Sequence, residues 1–272
     1  GYTMVYGIAK MLNFAHGDVI MIGSYVVYFA FGASGLNPVL SIVLSMIVCT
    51  ILGVVIERLA YRPLREAPSL AVLITAIGVS YLLQQVAQLS WSSNPKSFTS
   101  VVSGMKPVSL FGGQLTISAE TIVTIVACVV IMVVLMWFVN YTPAGHAMLA
   151  VSEDRGAAQL MGVNVNGTIS LTFAIGSALA AIAGALLCSS YPTLQPTTGA
   201  MPGIKAFVAA VFGGIGSIPG AMVGGILLGV IEIFSKAYIS SQVADAIVFA
   251  VLIIVLLVKP SGLFGKNIQE KV

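Results

Sequence analysis

Residues 150–166 read AVSEDRGAAQLMGVNVN, a polar stretch with helical spacing between two long apolar runs. Glu153, Asp154 and Arg155 stand out in a chain with only 12 basic and 9 acidic residues. The hydroxyl of Ser152 is suited to cap a helix by accepting from a free first-turn N–H. Glu153 and Asp154 then fall where the positive end of the helix dipole favours acids. Gly162 is suited to stop the helix, because it adopts left-handed backbone at no steric cost. Ala157, Leu160 and Met161 recur on one face in between. This predicts an amphipathic helix of about ten residues, half the ~20 needed to span a bilayer. A short charged helix between spanning-length apolar runs is a surface connection, so the flanking runs are membrane helices.

Composition carries that reading to the whole chain. Apolar residues make up 58% and charged residues 8%, with a mean hydropathy of +1.04. A soluble domain carries roughly 25% charged residues, so this chain could not cover a water-exposed surface. It reads as an integral membrane protein with room for about seven to eight spans. The net charge of +3, with no basic patch interleaved with aromatics, argues against nucleic acid as a partner. Cys49, Cys128 and Cys188 lie in apolar runs without metal or disulfide spacing and read as packing residues. The sequence begins at Gly1, without Met and already in an apolar run, so an upstream N-terminal segment is expected.

The apolar runs are residues 1–9, 18–33, 38–56, 69–89, 120–141, 168–190, 204–212, 220–234 and 243–258. None alternates strictly over short strands, which predicts an all-α polytopic helix bundle and not a barrel. Small residues at every fourth position (Gly176, Ala180 and Gly184; Gly216, Gly220 and Gly224; Gly225 and Gly229) suit close helix packing in lipid. Arg58, Arg62 and Arg65 occupy a short connection, and Lys259, Lys266 and Lys271 the tail. The positive-inside rule makes both cytoplasmic. Counting crossings from there puts residues 90–119 and 191–203 outside and residues 150–166 inside. To return the tail inside, residues 204–234 must enter from outside and go back. Their middle, GGIGSIPG, holds the breakers Gly213, Gly214, Gly216 and Pro219, so a broken or re-entrant pair is expected.

A second break falls at Asn13, Phe14, Ala15, His16 and Gly17, just before the apolar helix that opens at Asp18. Non-helical backbone at membrane depth survives only against protein or a water-filled cavity. Helix starts aimed at such a cavity offer N–H groups to anions such as a carboxylate. Asn13, Phe14, His16 and Gly17 are therefore candidates for a translocation path. A structural bend with His16 bonding locally is the other reading.

Catalytic chemistry finds no foothold. No nucleophile–base cluster and no phosphate-binding loop appears; Gly265-Lys266 is followed by Asn267 and lacks the upstream glycine. No cofactor or metal site is expected. The ionisable residues of the apolar runs (Asp18, Glu57, Glu120, Lys205, Glu232 and Asp245) lie near segment ends. An ion-coupled carrier or channel needs some at mid-depth, so it ranks second. Thr75, Ser80, Gln84, Gln85 and Gln88 form the remaining polar interior, read as helix glue.

The chain resembles the LivH-type membrane permeases of bacterial branched-chain amino-acid ABC importers. The likeness rests on GYTMVYGIAKMLNFAHGDVIMIGSY (residues 1–25), ERLAYRPLR (57–65), SEDRGAAQLMGVN (152–164), LTFAIGSALAAIAG (171–184), GIKAFVAAVFGGIGSIPGAMVGGILLG (203–229) and PSGLFG (260–265). It covers nearly the whole chain and weakens in residues 90–118. The resemblance implies a single permease domain over residues 1–272 in the bacterial inner membrane. It also implies a second homologous permease subunit, two cytoplasmic ATPases that bind ATP and Mg, and an extracytoplasmic solute-binding protein. The cargo would be leucine, isoleucine or valine, with urea or short amides as the alternative. Residues 150–166 would be the cytoplasmic coupling segment, through Glu153, Asp154, Arg155, Ala157, Leu160 and Gly162. The family also leads one to expect arginines at His146 and Met148, which leaves Arg155 as a candidate anchor.

Overall fold

A computed structural model describes residues 1–102, 104–105, 107–110 and 115–265. Lys266 and Lys271, two of the lysines that orient the tail in the sequence reading, lie outside the described residues. The structure is an all-α bundle. Its helices are α1 (Tyr2–Ala9), α2 (His16–Val27), α3 (Pro38–Ile56), α4 (Ser69–Trp91), α5 (Ala119–Tyr141), α6 (Pro143–Glu153), α7 (Arg155–Leu160), α8 (Val165–Ser190), α9 (Ala200–Gly213), α10 (Ile218–Tyr238) and α11 (Ala244–Val258). Five, namely α3 with its extension, α4, α5, α8 and α10, are long and apolar enough to cross a membrane. The other apolar runs form shorter helices, because breaks cut them below the ~20 residues a crossing takes.

The centre of the bundle is α2. All of its residues except Val26 are buried, including His16, Gly17, Asp18 and Ser24. A helix apolar on nearly every side has no face to give to solvent and belongs in a core. Here α3, α8, α9 and α4 surround it. The α8 stripe supports this contact: a Cβ at Gly184 would meet Ile20 O at 2.5 Å. At the periphery, α5 buries only Ala119 and Val139. Cys49 and Cys188 are buried, whereas Cys128 on α5 is exposed.

Helices α9 and α10 form a hairpin. Gly214 (φ 106°) and Gly216 (φ 90°) carry the turn in backbone that other residues resist. Ser217 then caps α10 by accepting from Gly220 N at 3.1 Å, and Pro219 lies in its first turn, where no N–H is required. Gly216 is thus part of the turn and not of the helical stripe expected for it. Gly224 packs where a Cβ would meet Ala209 O at 2.5 Å, while Gly229 has nothing within 4 Å. The tail is fastened to this turn by Leu263 N to Phe212 O and Phe264 N to Gly213 O, both 2.9 Å.

Near the end of the bundle that holds Trp91 and Ser190, short strands tie the loops together. β1 (Lys96–Ser97) pairs antiparallel with β4 (Thr193–Leu194), and β2 (Val108–Leu110) pairs with β3 (Leu115–Ile117). The opposite end carries Arg58, Arg62, Arg65 and Arg155 and is called the basic end below. There the structure corrects two local expectations. Residues 57–66 are not a plain loop: α3 continues as a π-helical turn (Glu57–Tyr61) and a 3-10 turn (Arg62–Leu64). Burial of Glu57 and Tyr61 keeps the chain helical until Pro63 removes an N–H. The ten-residue helix expected after Ser152 is instead two pieces. Thr142 caps α6 by accepting from Gly145 N at 3.0 Å, so Ser152 falls in its last turn and donates to Leu149 O at 2.6 Å. Asp154 takes extended backbone and caps α7, accepting from Ala157 N at 3.0 Å.

Candidate functional site

Two regions hold the candidates at residues 13–17 and 150–166, and α1 connects them. Helix α1 ends at Lys10, which adopts left-handed backbone (φ 54°) and donates its N–H to Tyr6 O at 2.9 Å. The chain then turns back through residues 11–15 into α2. Asn13 is buried and accepts from the Tyr61 hydroxyl at 2.9 Å. The His16 ring meets Tyr2 edge-on at 4.8 Å, and Phe14 and Tyr2 both lie against Phe207 of α9, at 5.5 and 6.1 Å. Gly17 is where α2 meets α9. A Cβ there would lie 2.5 Å from Gly199 O, and one at Gly203 would lie 2.7 Å from Gly17 Cα. The first turns of two shortened helices therefore cross in backbone contact, which brings the positive ends of their dipoles close together.

The sequence reading missed three parts of this crossing. The Tyr2 hydroxyl is buried there with no hydrogen-bond partner among the described residues. The Gly199–Gly203 start of α9 falls in the segment 191–203 that the sequence assigns to an outside connection. Asp18 stands near a segment end in the sequence, yet it is only 1% exposed and accepts from Gln84 Nε2 at 2.9 Å. Gln84 stands seven residues before the end of α4, about 10 Å in from that end. Because α2 starts inside the bundle, the end of an apolar run is not the membrane surface here. Gln84 also reaches Ser80 Oγ at 3.3 Å, whereas Gln85 and Gln88 face outward, contrary to the interior role expected of them.

At the basic end, Glu57 is 0% exposed. It pairs with Arg65 and accepts from Ser170 Oγ at 2.6 Å, and Arg65 also donates to Asn166. These contacts tie the α3 extension to the start of α8. Removing one partner of a buried ion pair leaves the other charge uncompensated, at a cost of about 3–5 kcal/mol. Glu57→Ala should therefore lower the melting temperature of the purified protein by several degrees, and Glu57→Ala with Arg65→Ala should recover part of it. An unchanged melt in the single variant would contradict the pairing.

The residues of the 150–166 segment lie beside this tie. Glu153 ends α6, Asp154 caps α7, and Gly162 (φ 85°) follows its end. Ala157 is exposed while Ala158 is buried, so the inward face of α7 is one residue off the expected one. Leu160 and Met161 are 90% and 84% exposed. Arg155 turns inward and donates to Ala9 O, the last residue of α1, where the negative end of the helix dipole favours a cation. Burial, and after it the neighbouring Arg65, lower the Arg155 pKa from its ordinary value. Met148 is fully buried and His146 bonds Asn140 O at 2.7 Å, so Met148 offers no room for the expected arginine. Arg155 is thus the basic residue that joins this segment to the bundle interior. Eight residues of α1, about 12 Å, separate its contact from the crossing at Tyr2 and His16.

A family model described as "Branched-chain amino acid transport system / permease component" matches residues 1–256. The high-affinity branched-chain amino acid transport system permease protein LivH of Salmonella typhimurium is 44% identical over all of this chain and 91% of its own length. LivH of Escherichia coli is 43% identical over the same shares. BraD of Pseudomonas aeruginosa is 44% identical, with 92% of its length covered. No solved structure matches the chain. With a family match over nearly its whole length, this membrane-spanning chain belongs to the permease components of branched-chain amino acid transport systems.

Proposed function

We propose that the chain is the membrane-spanning permease subunit of an ATP-driven importer of leucine, isoleucine and valine in a bacterial inner membrane. It acts as one permease domain and shares the translocation path with a second, homologous permease. An extracytoplasmic binding protein delivers the amino acid, and two ATPases that hold ATP and Mg dock at the basic end. That end, with the tail, is cytoplasmic by its arginines. The five long helices, together with the shortened ones, make up the seven to eight crossings expected from length. The path runs by Asn13, Phe14, His16 and Gly17, where the crossed starts of α2 and α9 suit a substrate carboxylate. Glu153, Asp154, Arg155, Ala157, Leu160 and Gly162 form the coupling segment.

The observation that carries this reading is the family match over residues 1–256, and the contact of Arg155 with Ala9 O supports a route for coupling. A displacement of α7 by a docked ATPase moves α1, and with it Tyr2 against His16. Rigid-body steps of this kind convert a surface event into a change of access. Reconstitution tests the proposal. Liposomes holding the full complex should take up labelled leucine only with ATP, and excess isoleucine, but not urea, should compete. Uptake by the permease chain alone would favour the carrier or channel reading and overturn this one.

A further inference from the structure

A cleft of about 560 Å³ opens at the basic end, between the end of α3 with its extension and the first three turns of α8. Its floor is polar, with Arg58, Arg62 and Asn166, and its wall is apolar, with Val54, Leu171 and Ala174. Arg58 follows the start of α3 at Pro38 by roughly twenty residues, about 30 Å of helix and one hydrocarbon thickness. The floor therefore lies at headgroup level and the wall at acyl level. Arg58 and Arg62 are exposed, and among the described residues neither forms an ion pair. The nearby Glu57 offers them nothing, because it is fully buried and taken by Arg65 and Ser170. The start of α8 adds the positive end of its dipole, since Asn164 caps it by accepting from Gly167 N at 3.0 Å. Above the cleft the apolar wall continues along exposed Ile51 and Val55 of α3.

We propose that this cleft binds an anionic phospholipid, its headgroup phosphate on Arg58 and Arg62 and an acyl chain along Val54, Leu171 and Ala174. Basic pockets between membrane helices recognise anionic headgroups in this way. The apolar wall selects a lipid over a free phosphate, which would use only the floor. It also distinguishes the cleft from the exposed tip of α7, where an ATPase docks without reaching over hydrocarbon. The lipid would wedge α3 against α8 next to the Glu57–Arg65 tie.

Native mass spectrometry of the purified full chain, titrated with phosphatidylglycerol or phosphatidylethanolamine, tests the proposal. Wild type should prefer phosphatidylglycerol by about tenfold or more, the scale expected of two interfacial arginines. Arg58→Gln with Arg62→Gln should abolish that preference, and Lys96→Gln at the other end should retain it. If the double variant does not purify, Arg62→Gln alone should reduce the preference. Excess inorganic phosphate should leave the wild-type preference in place. Retention of the preference in the arginine variants, or its loss to inorganic phosphate, would overturn the proposal. So would arginine variants that lose ATPase association and keep the lipid preference.

Discussion

Gly203→Val should abolish uptake and cut the yield of folded protein. A Cβ at Gly203 would lie 2.7 Å from Gly17 Cα and 3.2 Å from Gly17 N, and no rotamer change relieves a clash with backbone. The two helix starts must separate, which also pulls Tyr2 and Phe14 from Phe207. Overpacking of a tight core costs about 1–3 kcal/mol, and backbone on both sides puts this site at the upper end. Gly229→Val is the matched comparison, since nothing lies within 4 Å of that position. The purified Gly229→Val chain should melt like wild type, and Gly203→Val should melt well below it. Equal melting and equal uptake for the pair would mean that α2 and α9 do not touch at Gly17.

The second large effect falls on coupling. Leu160→Asp or Ala157→Arg should reduce uptake by tenfold or more while the chain folds and inserts normally. Leu160 is 90% exposed and Ala157 is exposed beside it, so neither change disturbs contacts within this chain. An apolar anchor at the centre of an interface is typically worth about 2 kcal/mol or more, roughly thirtyfold in affinity. The readouts are ATPase co-purification and labelled-leucine uptake, measured beside the melting temperature of the chain. Wild-type uptake by both variants would remove α7 from the coupling role. Arg155→Ala separates docking from transmission: it should leave the ATPases bound and still depress uptake, because it severs only the contact with Ala9 O.

Much of this architecture was legible in the sequence, because hydropathy and helix-breaking residues act locally. Gly213–Gly214 and Pro219 announce the α9–α10 turn without any knowledge of what packs against it. Gly162 likewise stops the segment after α7. What the sequence hid depends on partners far away along the chain. Asp18 looked terminal because its run begins there, and only the folded bundle shows that α2 starts inside it and finds Gln84. Ser152 and Asp154 are both good caps. The choice between them was made upstream by Thr142 and Pro143, which start α6 early enough to absorb Ser152. The Glu57–Arg65–Asn166 tie left only a faint trace: an acid at the end of an apolar run, followed by three arginines and a second acid, Glu66.

The enclosed position of α2 has a consequence for biogenesis. Together with the π-helical turn Tyr28–Ala33 that continues it, the helix has 18 residues, still below the ~20 that hold a helix across lipid, and its first turn carries the buried polar residues His16 and Asp18. Two of the helices that enclose it, α8 and α9, begin only at Val165 and Ala200. At about 5–20 residues per second, the ribosome needs on the order of ten seconds after Val27 to deliver them. Until then the future centre of the protein waits without its walls, and the insertion machinery must shelter it. The helix made among the first is therefore among the last to be closed in.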